Sequence, residues 1–478
     1  MFKTMVSAAM AAAMLSGCVT SRTEPASAAA AGVVLHDNAV RVEVRREGDL
    51  WTAEFSFDRD AAAWGFVRSA LTDETRRSWR LEQWSVETPG VVLERVGDRD
   101  LLRSINGQTT PRTVRIRMKP TGDDLQADYG ALIFSDGAIA LPSGQFDVFP
   151  LTAWDEATTS QPVPTWRELG IQPAEVTWRD ASGPILFKGE RLTQVTAVDA
   201  DTYVLFGKAD QREGARLTTV FDPNLPQWAG DEIASFAPRV ADYYADRLGS
   251  GAFGRPTVMV SWNGPTENMA SMSGSVMPAL ITISFEGRGI ESPDAEILFR
   301  TRWFIAHEAL HFWLGQQVRY EKQRHSWITE GGANLGAVRA LKALNPEYDD
   351  LAELQTEVDD CVTLATSRAV ETAGARGEQR AFYACGAVFA MVAEGAQRRT
   401  TGGDWLDFLR PLLVQSDGVL TRDEWLDALT EVSRDPSLRS DVERLLDEGA
   451  ADPAAVIARL FERTGVGFRM EAGRVVLV

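Results

Sequence analysis

Apolar and polar residues alternate with a period of two along much of the chain between residues 33 and 222. Polar or glycine-containing stretches separate the runs, as turns separate strands. The clearest runs are Val40/Val42/Val44, Trp51/Ala53/Phe55/Phe57, Val114/Ile116/Met118 and Leu217/Thr219/Phe221. Because a period of two gives each strand one buried face, the pattern predicts an antiparallel, sandwich-like β-domain over residues 33–222.

The periodicity changes after Asp222-Pro223-Asn224-Leu225-Pro226, a segment that predicts a domain boundary. Beyond it, apolar residues recur at helical spacing from Ile233 to Leu248, and Gly249 ends this predicted helix. Two apolar runs, Pro256 to Trp262 and Ala279 to Phe285, predict strands.

The last part of the chain predicts short helices. Apolar stripes such as Trp405/Phe408/Leu409/Leu412 indicate helix faces that pack in a core, and Thr421 and Glu424 form a capping box. The stretch from Phe468 to Val478 predicts a hairpin. The fold class is therefore multidomain α+β, with a small helical C-terminal region at 401–478.

The sharpest chemical pattern is His307-Glu308-Ala309-Leu310-His311, preceded by Phe299, Trp303 and Phe304 at helical spacing. On a helix, His307 and His311 lie one turn apart on the same face, so their imidazoles can share one metal ion. Glu308 is offset by one residue. It is expected to lie beside the metal and to take a proton from a water there.

A catalytic zinc site usually has three protein ligands and one position left for water. The segment Trp327-Ile328-Thr329-Glu330-Gly331-Gly332-Ala333-Asn334 places Glu330 nineteen positions after His311, at the start of a second helical pattern. We therefore expect Zn²⁺ to be bound by His307, His311 and Glu330. The chain has four histidines, so a chance match to the full pattern is improbable.

The spacing of these residues resembles that of the gluzincin metallopeptidases of the aminopeptidase-N type, in which a W-x-x-E-G-x-A segment supplies the third ligand. The resemblance is strong over residues 299–341. It implies a thermolysin-like zinc catalytic domain, which we place at 223–400, behind a β-domain. It also implies that the strand from Ala279 to Phe285 lines the cleft and pairs with extended substrate through backbone hydrogen bonds.

Tyr383-Ala384-Cys385-Gly386 resembles the family's Tyr-x-Lys-Gly segment, although Ala384 and Cys385 replace the middle pair. The resemblance gives Tyr383 the role of hydrogen-bond donor to the developing oxyanion, for which a neutral phenol is suited. The alternative is a tyrosine that only packs at the start of a helix.

The chain departs from its relatives at the Gly-x-Met-Glu-Asn segment, whose Glu holds the free amine of the substrate. Here the residues are Ser273-Gly274-Ser275-Val276-Met277-Pro278, and no carboxylate lies near Val276 and Met277. Glu267-Asn268 lies several residues earlier and could substitute only if the loop folds back. Aminopeptidase, endopeptidase and unusual exopeptidase activity therefore all stay open.

Three functions are compatible with these motifs. The first is zinc-dependent hydrolysis of peptide bonds in a peptide or protein substrate. The second is an envelope lipoprotein that binds a peptide or partner without cutting it, and the intact Glu308 argues against this interpretation. The third is a zinc hydrolase with a non-peptide substrate such as an epoxide or amide, and nothing in the sequence separates it from the first.

The N-terminal residues predict export and lipidation. Lys3 precedes an apolar run from Met5 to Leu15 that is too short to span a bilayer, and Leu15-Ser16-Gly17-Cys18 resembles the lipobox of a bacterial lipoprotein. This predicts a signal peptide at 1–17, acylation of Cys18 and a tether at 18–32. Val19 favours the outer membrane, with the protein facing the periplasm. The alternative is an ordinary signal peptide with an unrelated cysteine.

Composition limits the partners. The 478 residues predict two or three domains, and 44% apolar residues suffice for their cores. A net charge of −19 argues against nucleic acid and against an anionic membrane surface, so the expected membrane contact is the lipid at Cys18. Cys361 and Cys385 remain, either as a disulfide, which export permits, or as two buried thiols. His325 is expected to be a surface loop residue, or else to contact substrate.

Overall fold

The computed structural model describes residues 39–478 except 127, 162, 215–216, 252–254 and 268–269. The predicted signal peptide (1–17), the tether (18–32) and Cys18 lie outside the described residues. Among the described residues, no helix is both long and apolar enough to cross a membrane.

The secondary structure is mixed. The strands are β1 (Val40–Glu47), β2 (Leu50–Phe57), β3 (Ala63–Phe66), β4 (Trp84–Val86), β5 (Val91–Val96), β6 (Arg99–Ser104), β7 (Thr113–Met118), β8 (Leu132–Ile133), β9 (Ile139–Pro142), β10 (Val148–Leu151), β11 (Glu175–Asp180), β12 (Ile185–Phe187), β13 (Glu190–Leu192), β14 (Gln194–Val198), β15 (Tyr203–Phe206), β16 (Asp210–Glu213), β17 (Thr218–Phe221), β18 (Thr257–Trp262), β19 (Ser271–Met277), β20 (Leu280–Glu286), β21 (Arg319–Tyr320), β22 (Val419–Leu420), β23 (Phe468–Glu471) and β24 (Arg474–Leu477). The helices are α1 (Trp79–Gln83), α2 (Glu156–Thr159), α3 (Trp166–Leu169), α4 (Gln227–Leu248), α5 (Arg288–Glu291), α6 (Ala295–Leu310), α7 (Trp327–Leu344), α8 (Asp350–Leu364), α9 (Arg380–Thr401), α10 (Trp405–Gln415), α11 (Arg422–Ser433), α12 (Pro436–Asp447) and α13 (Pro453–Thr464).

These elements form two compact units. The first contains residues 39–214 with Thr218–Pro226 and Pro256–Ser292, and the second contains mainly Gln227–Arg255 and Pro293–Val478. The predicted boundaries at 222 and 400 do not coincide with this division, and as domain boundaries they remain predictions.

The first unit is built from β-sheets. Its largest sheet has the order β14-β11-β1-β2-β7-β4, and a second has the order β10-β3-β6-β5. Apolar side chains of both sheets share one core, in which Val40, Val42 and Val44 of β1 are buried, as their alternation predicts. The neighbours pair antiparallel except β1 and β11, which run parallel, so this sheet is not purely antiparallel as predicted.

A further sheet of the first unit has the order β16-β17-β18-β20-β19. Strands β18 and β20 match the two predicted strands after residue 250, whereas β19 was not predicted. All residues of β17 and β18 are buried, so both faces of these strands are covered. This explains why β17 lacks the alternation that its apolar and polar residues indicated.

The second unit is helical. Helix α4 ends at Gly249, which has φ +87°, as predicted. The capping box of Thr421 and Glu424 opens α11, and β23 and β24 form the predicted hairpin. The mixed α+β class predicted from the sequence is confirmed.

Candidate metal centre

Helix α6 carries the first two candidate ligands and Glu308. The helix begins where Asp294 Oδ1 accepts a hydrogen bond from the backbone N–H of Ile297 at 2.9 Å, and it ends at His311. As the spacing predicts, His307 and His311 lie one turn apart. Their rings are nearly perpendicular and their centroids are 4.8 Å apart.

The turn after α6 orients His311. Its Nδ1 lies 3.0 Å from the carbonyl oxygen of Leu314, so Nε2, which faces His307 and Glu330, is the nitrogen that would bind a metal. Gly315 closes this turn at φ +140°, where a Cβ atom would lie 3.2 Å from Nδ1 of His311. The glycine is therefore needed both for its backbone angle and for space beside the imidazole.

Helix α7 supplies the third ligand in its first turn. The backbone N–H of Glu330 donates to the carbonyl oxygen of Ser326 at 2.9 Å. Its Oε2 lies 3.6 Å from Nε2 of His307 and 3.5 Å from Nε2 of His311, and the two Nε2 atoms are 3.1 Å apart. Tetrahedral zinc with bonds of about 2.0–2.1 Å separates its ligand atoms by about 3.3 Å, so the three atoms fit Zn²⁺.

Burial sets the electrostatics of the site. Burial lowers the pKa of His311, but the charge and hydrogen bond of Glu330, together with Glu308 and the carbonyl group of Leu314, outweigh burial and raise the pKa to about 9. For Glu330, burial is likewise outweighed, and the imidazoles hold its pKa well below its usual range. Burial lowers the pKa of His307. The site thus pairs one carboxylate with two imidazoles, a charge balance in which a divalent cation can replace the proton.

Glu308 is buried in the same unit, and its Oε2 has no hydrogen-bond partner among the described residues. Burial raises its pKa to about 8, with Glu330 adding to the rise and His311 opposing it. A buried carboxyl group without a hydrogen-bond partner lowers the stability of the fold, and groups of this kind occur at sites where they take part in chemistry.

Tyr383 lies in the first turn of α9 and is partly exposed. Its ring stands 6.0 Å from the ring of His307, centroid to centroid, with 20° between the planes. The two helices that carry Glu330 and Tyr383 meet through glycines. A Cβ on Gly331 would lie 2.0 Å from the carbonyl carbon of Gly386. The backbones therefore touch, which brings Tyr383 close to the metal ligands.

No protein-family model matches the sequence, and no curated protein matches it. Solved structures do. An aminopeptidase N family protein from Idiomarina loihiensis matches over 88% of this chain and 78% of its own, with a TM-score of 0.57 and 10% identity. The chain shares its fold with that protein. Native yeast LTA4 hydrolase matches with a TM-score of 0.50 at 14% identity, over 88% of this chain and 72% of its own.

The aminopeptidase N fold and the buried His307, His311 and Glu330 agree with the resemblance that the motifs indicated. Among the described residues, these three are the group of His, Cys, Asp and Glu side chains whose ligand atoms are close enough to hold one metal ion. Glu308 and Tyr383 accompany them in the same unit, and their roles remain proposals.

The strand that was expected to pair with substrate lies inside its sheet. The run from Ala279 to Phe285 was predicted to pair with substrate, but β20 is flanked by β18 and β19, so its backbone groups are already used. This prediction was wrong because a run of apolar residues indicates a buried strand but not which strand lies at the edge. The two edge strands of this sheet are β16 and β19, and β19, which precedes β20, has no carboxylate. Glu267 pairs with Arg288, and Asn268 lies outside the described residues.

Two further predictions have an outcome in the second unit. Cys361 of α8 and Cys385 of α9 are joined by a disulfide, with an S–S distance of 2.11 Å. His325 is 3% exposed, so the expectation of a surface residue was wrong. Its Nε2 lies 3.7 Å from Glu371, and burial, together with the charge of Arg324, lowers its pKa to about 4.

Sequence reasoning missed two polar residues next to the ligands. Asn334 and Glu357 are buried and hydrogen-bonded to each other at 3.1 Å. Asn334 lies four positions after Glu330, and this spacing on a helix was the available indication that it faces the same way.

Proposed function

We propose that the protein is a zinc-dependent peptidase. The observation that carries the proposal is the convergence of three buried ligand atoms within 3.1–3.6 Å of one another, beside a buried and unpaired Glu308. The fold shared with an aminopeptidase N family protein supports it.

His307, His311 and Glu330 would hold the metal. When bound, Zn²⁺ supplies Lewis acidity, which polarises a scissile carbonyl and makes a water more acidic. Glu308 accepts the proton of the attacking water and returns it to the leaving amine. Tyr383 donates a hydrogen bond to the oxygen that gains negative charge.

Which end of a peptide the enzyme recognises is left open by the sequence before β20. No carboxylate lies among Ser273 to Pro278, where the aminopeptidases that the motifs resemble carry the Glu that holds the substrate's amine. We therefore propose a peptidase of aminopeptidase-like fold. Aminopeptidase, endopeptidase and unusual exopeptidase activity are the three alternatives that the experiment below distinguishes.

The second candidate is a zinc hydrolase with a non-peptide substrate, which would use the same metal ligands and Glu308. The two are separated by incubating purified protein with a mixed peptide library and reading the termini of the products by mass spectrometry. New termini that depend on zinc and disappear in His311→Ala support the peptidase. No cleavage by a protein that contains one zinc per chain contradicts it.

We further propose that the enzyme works in the bacterial envelope, anchored through Cys18 to the outer membrane and facing the periplasm. The lipobox-like segment Leu15 to Cys18 supports this, as does the Cys361–Cys385 disulfide, because disulfides persist in oxidising compartments.

A further inference from the structure

The ring nitrogens that point away from a metal need acceptors. A histidine that binds zinc through Nε2 carries its proton on Nδ1, and a hydrogen bond there fixes the ring and the tautomer. His311 has such an acceptor in the carbonyl group of Leu314. For His307 the corresponding atom, Nδ1, is buried, and no close acceptor satisfies it.

Asn334 lies next to His307. It follows Glu330 by one helical turn on α7, so the two side chains project from the same face. The side chains of Asn334 and His307 interact, and Oδ1 of Asn334, like Nδ1 of His307, is buried without another close partner. A buried acceptor and a buried donor therefore belong to neighbouring side chains.

The other end of Asn334 determines which of its atoms faces His307. Its Nδ2 donates to Oε1 of Glu357 at 3.1 Å, and Arg380 forms an ion pair with Oε2 of Glu357 at 3.0 Å. Burial raises the pKa of Glu357 and the guanidinium of Arg380 opposes this rise, so the ion pair favours the ionised carboxylate, which only accepts hydrogen bonds. The amide nitrogen must therefore face Glu357, which leaves Oδ1, a pure acceptor, for His307.

We propose that Asn334, Glu357 and Arg380 form a positioning chain for His307. The chain holds the proton of His307 on Nδ1 and so keeps the lone pair of Nε2 available to the metal. These are positioning residues, since they act through His307. The proposal rests on the zinc site proposed above.

A purely structural role is the competing explanation, because the chain also ties α7, α8 and α9 together. The two roles differ in what they change. Loss of a structural tie lowers the stability of the metal-free protein, whereas loss of positioning lowers the affinity for zinc. Glu394 provides a matched control: it is buried on α9 and pairs with Arg339 of α7 at 2.6 Å.

The experiment measures the zinc dissociation constant by competition with a chelator, and the thermal unfolding of the metal-free protein, on the full chain. Asn334→Ala should weaken zinc binding by about 10- to 100-fold, the usual effect of losing such a partner. Glu357→Gln should weaken zinc binding less. The introduced amide can both donate and accept a hydrogen bond, so the side-chain amide of Asn334 is no longer held in one orientation. Glu394→Gln should lower stability and leave the zinc affinity unchanged.

Exchanging the amide and the carboxylate gives the decisive variant. In the double variant Asn334→Asp with Glu357→Gln, an acceptor next to His307 is restored, and the introduced amide donates to the introduced carboxylate at unchanged volume. We expect zinc affinity within about threefold of wild type. Both this variant and Glu357→Gln preserve side-chain size, so the test stands even if Asn334→Ala does not fold.

Wild-type zinc affinity in both Asn334→Ala and Glu357→Gln would overturn the proposed positioning of His307. So would an equal loss of affinity in Glu394→Gln. His311→Ala separates failure of the positioning proposal from failure of the zinc site. If His311→Ala loses zinc while Asn334→Ala does not, only the positioning role of Asn334, Glu357 and Arg380 is wrong. If His311→Ala binds zinc as tightly as wild type, the zinc site itself is wrong.

Discussion

At the scale of single residues, the site assigns different work to two neighbours on α6. His307 and Glu308 are both buried, but the imidazole of His307 faces Glu330 while the carboxylate of Glu308 has no partner among the described residues. A general base must be able to take up and release a proton, whereas a metal ligand must keep its lone pair on the metal. This difference makes the two residues separable by mutation.

Glu308→Gln should keep zinc and fold while turnover falls. Glutamine has the volume of glutamate but cannot accept the proton of the water, so we expect kcat to fall by about two to four orders of magnitude. Zinc content by elemental analysis and kcat on a substrate from the peptide library measure the effect. Near wild-type turnover in this variant would refute the mechanism, whereas loss of zinc would make Glu308 a ligand.

Tyr383→Phe removes one hydroxyl group. If that hydroxyl stabilises the oxyanion, kcat should fall by about two to three orders of magnitude with little change in KM, because the bond forms mainly in the transition state. The measurement is steady-state kinetics on the same substrate, with zinc content as the control. An unchanged kcat would assign Tyr383 to packing and leave the role of Glu308 intact.

At the scale of elements, the site depends on how closely α7 and α9 approach. Glu330 is followed by Gly331, and Tyr383 precedes Gly386 by three residues. These glycines meet backbone to backbone. The spacing of the helices that carry Glu330 and Tyr383 is therefore set by the absence of side chains at these two glycines.

Gly331→Ala should therefore damage both stability and metal binding. Its methyl group would meet the backbone of Gly386, which cannot move aside, so we expect a loss of about 3 kcal/mol or more in the free energy of unfolding and weaker zinc binding. Gly336→Ala on the same helix is the control, since its methyl group would meet the end of the Leu310 side chain, which can turn. Equal losses in both variants would contradict the close-approach argument.

At the scale of the whole molecule, the two compact units allow separate tests of the β-rich part. Asp147 belongs to the first unit, where its Oδ1 accepts a hydrogen bond from the backbone N–H of Ala174 at 3.0 Å. Burial raises the pKa of Asp147 to about 7, and Asp199 and Asp201 add to the rise while Arg68 opposes it.

A folded-state pKa above the unfolded value of 3.8 means that folding favours the protonated carboxyl. The stability contributed by Asp147 is therefore complete below about pH 4 and is lost as the pH rises to about 7. Asp147→Asn should remove this loss and raise the free energy of unfolding at pH 8 by about 1 kcal/mol. This is less than the pKa shift alone would give, because the side chain is partly exposed and solvent screens it. Denaturant unfolding at pH 4 and 8 measures it. An equal difference between wild type and variant at both pH values would contradict the assignment.

The predicted lipid anchor at Cys18 would hold the whole protein at a membrane. Wild-type protein expressed in a bacterium should partition into detergent and incorporate a fatty-acid analogue, because a thiol at Cys18 would be acylated. Cys18→Ser should do neither, while Cys361→Ser, the control, should still be labelled. A Cys18→Ser protein that is still labelled would show that the lipobox assignment is wrong.

The sequence alone was sufficient where the signal is local. The separation of His307 and His311 by one helical turn, the alternation in β1 and β2, and the capping box at Thr421 all depend on neighbours within a few residues. Their consequences follow from helix and strand geometry. Even the third ligand was predictable, because a spacing and a short motif accompany Glu330.

Only the tertiary structure decided what depends on long-range packing. The apolar residues of β20 indicated a buried strand, but its neighbours, and thus the edge position of β19, follow from sheet topology. The burial of His325 and the hydrogen bond between Asn334 and Glu357 likewise require α7 and the segments packed on it. Such contacts join residues far apart in sequence, where no helical or strand periodicity relates one position to the other.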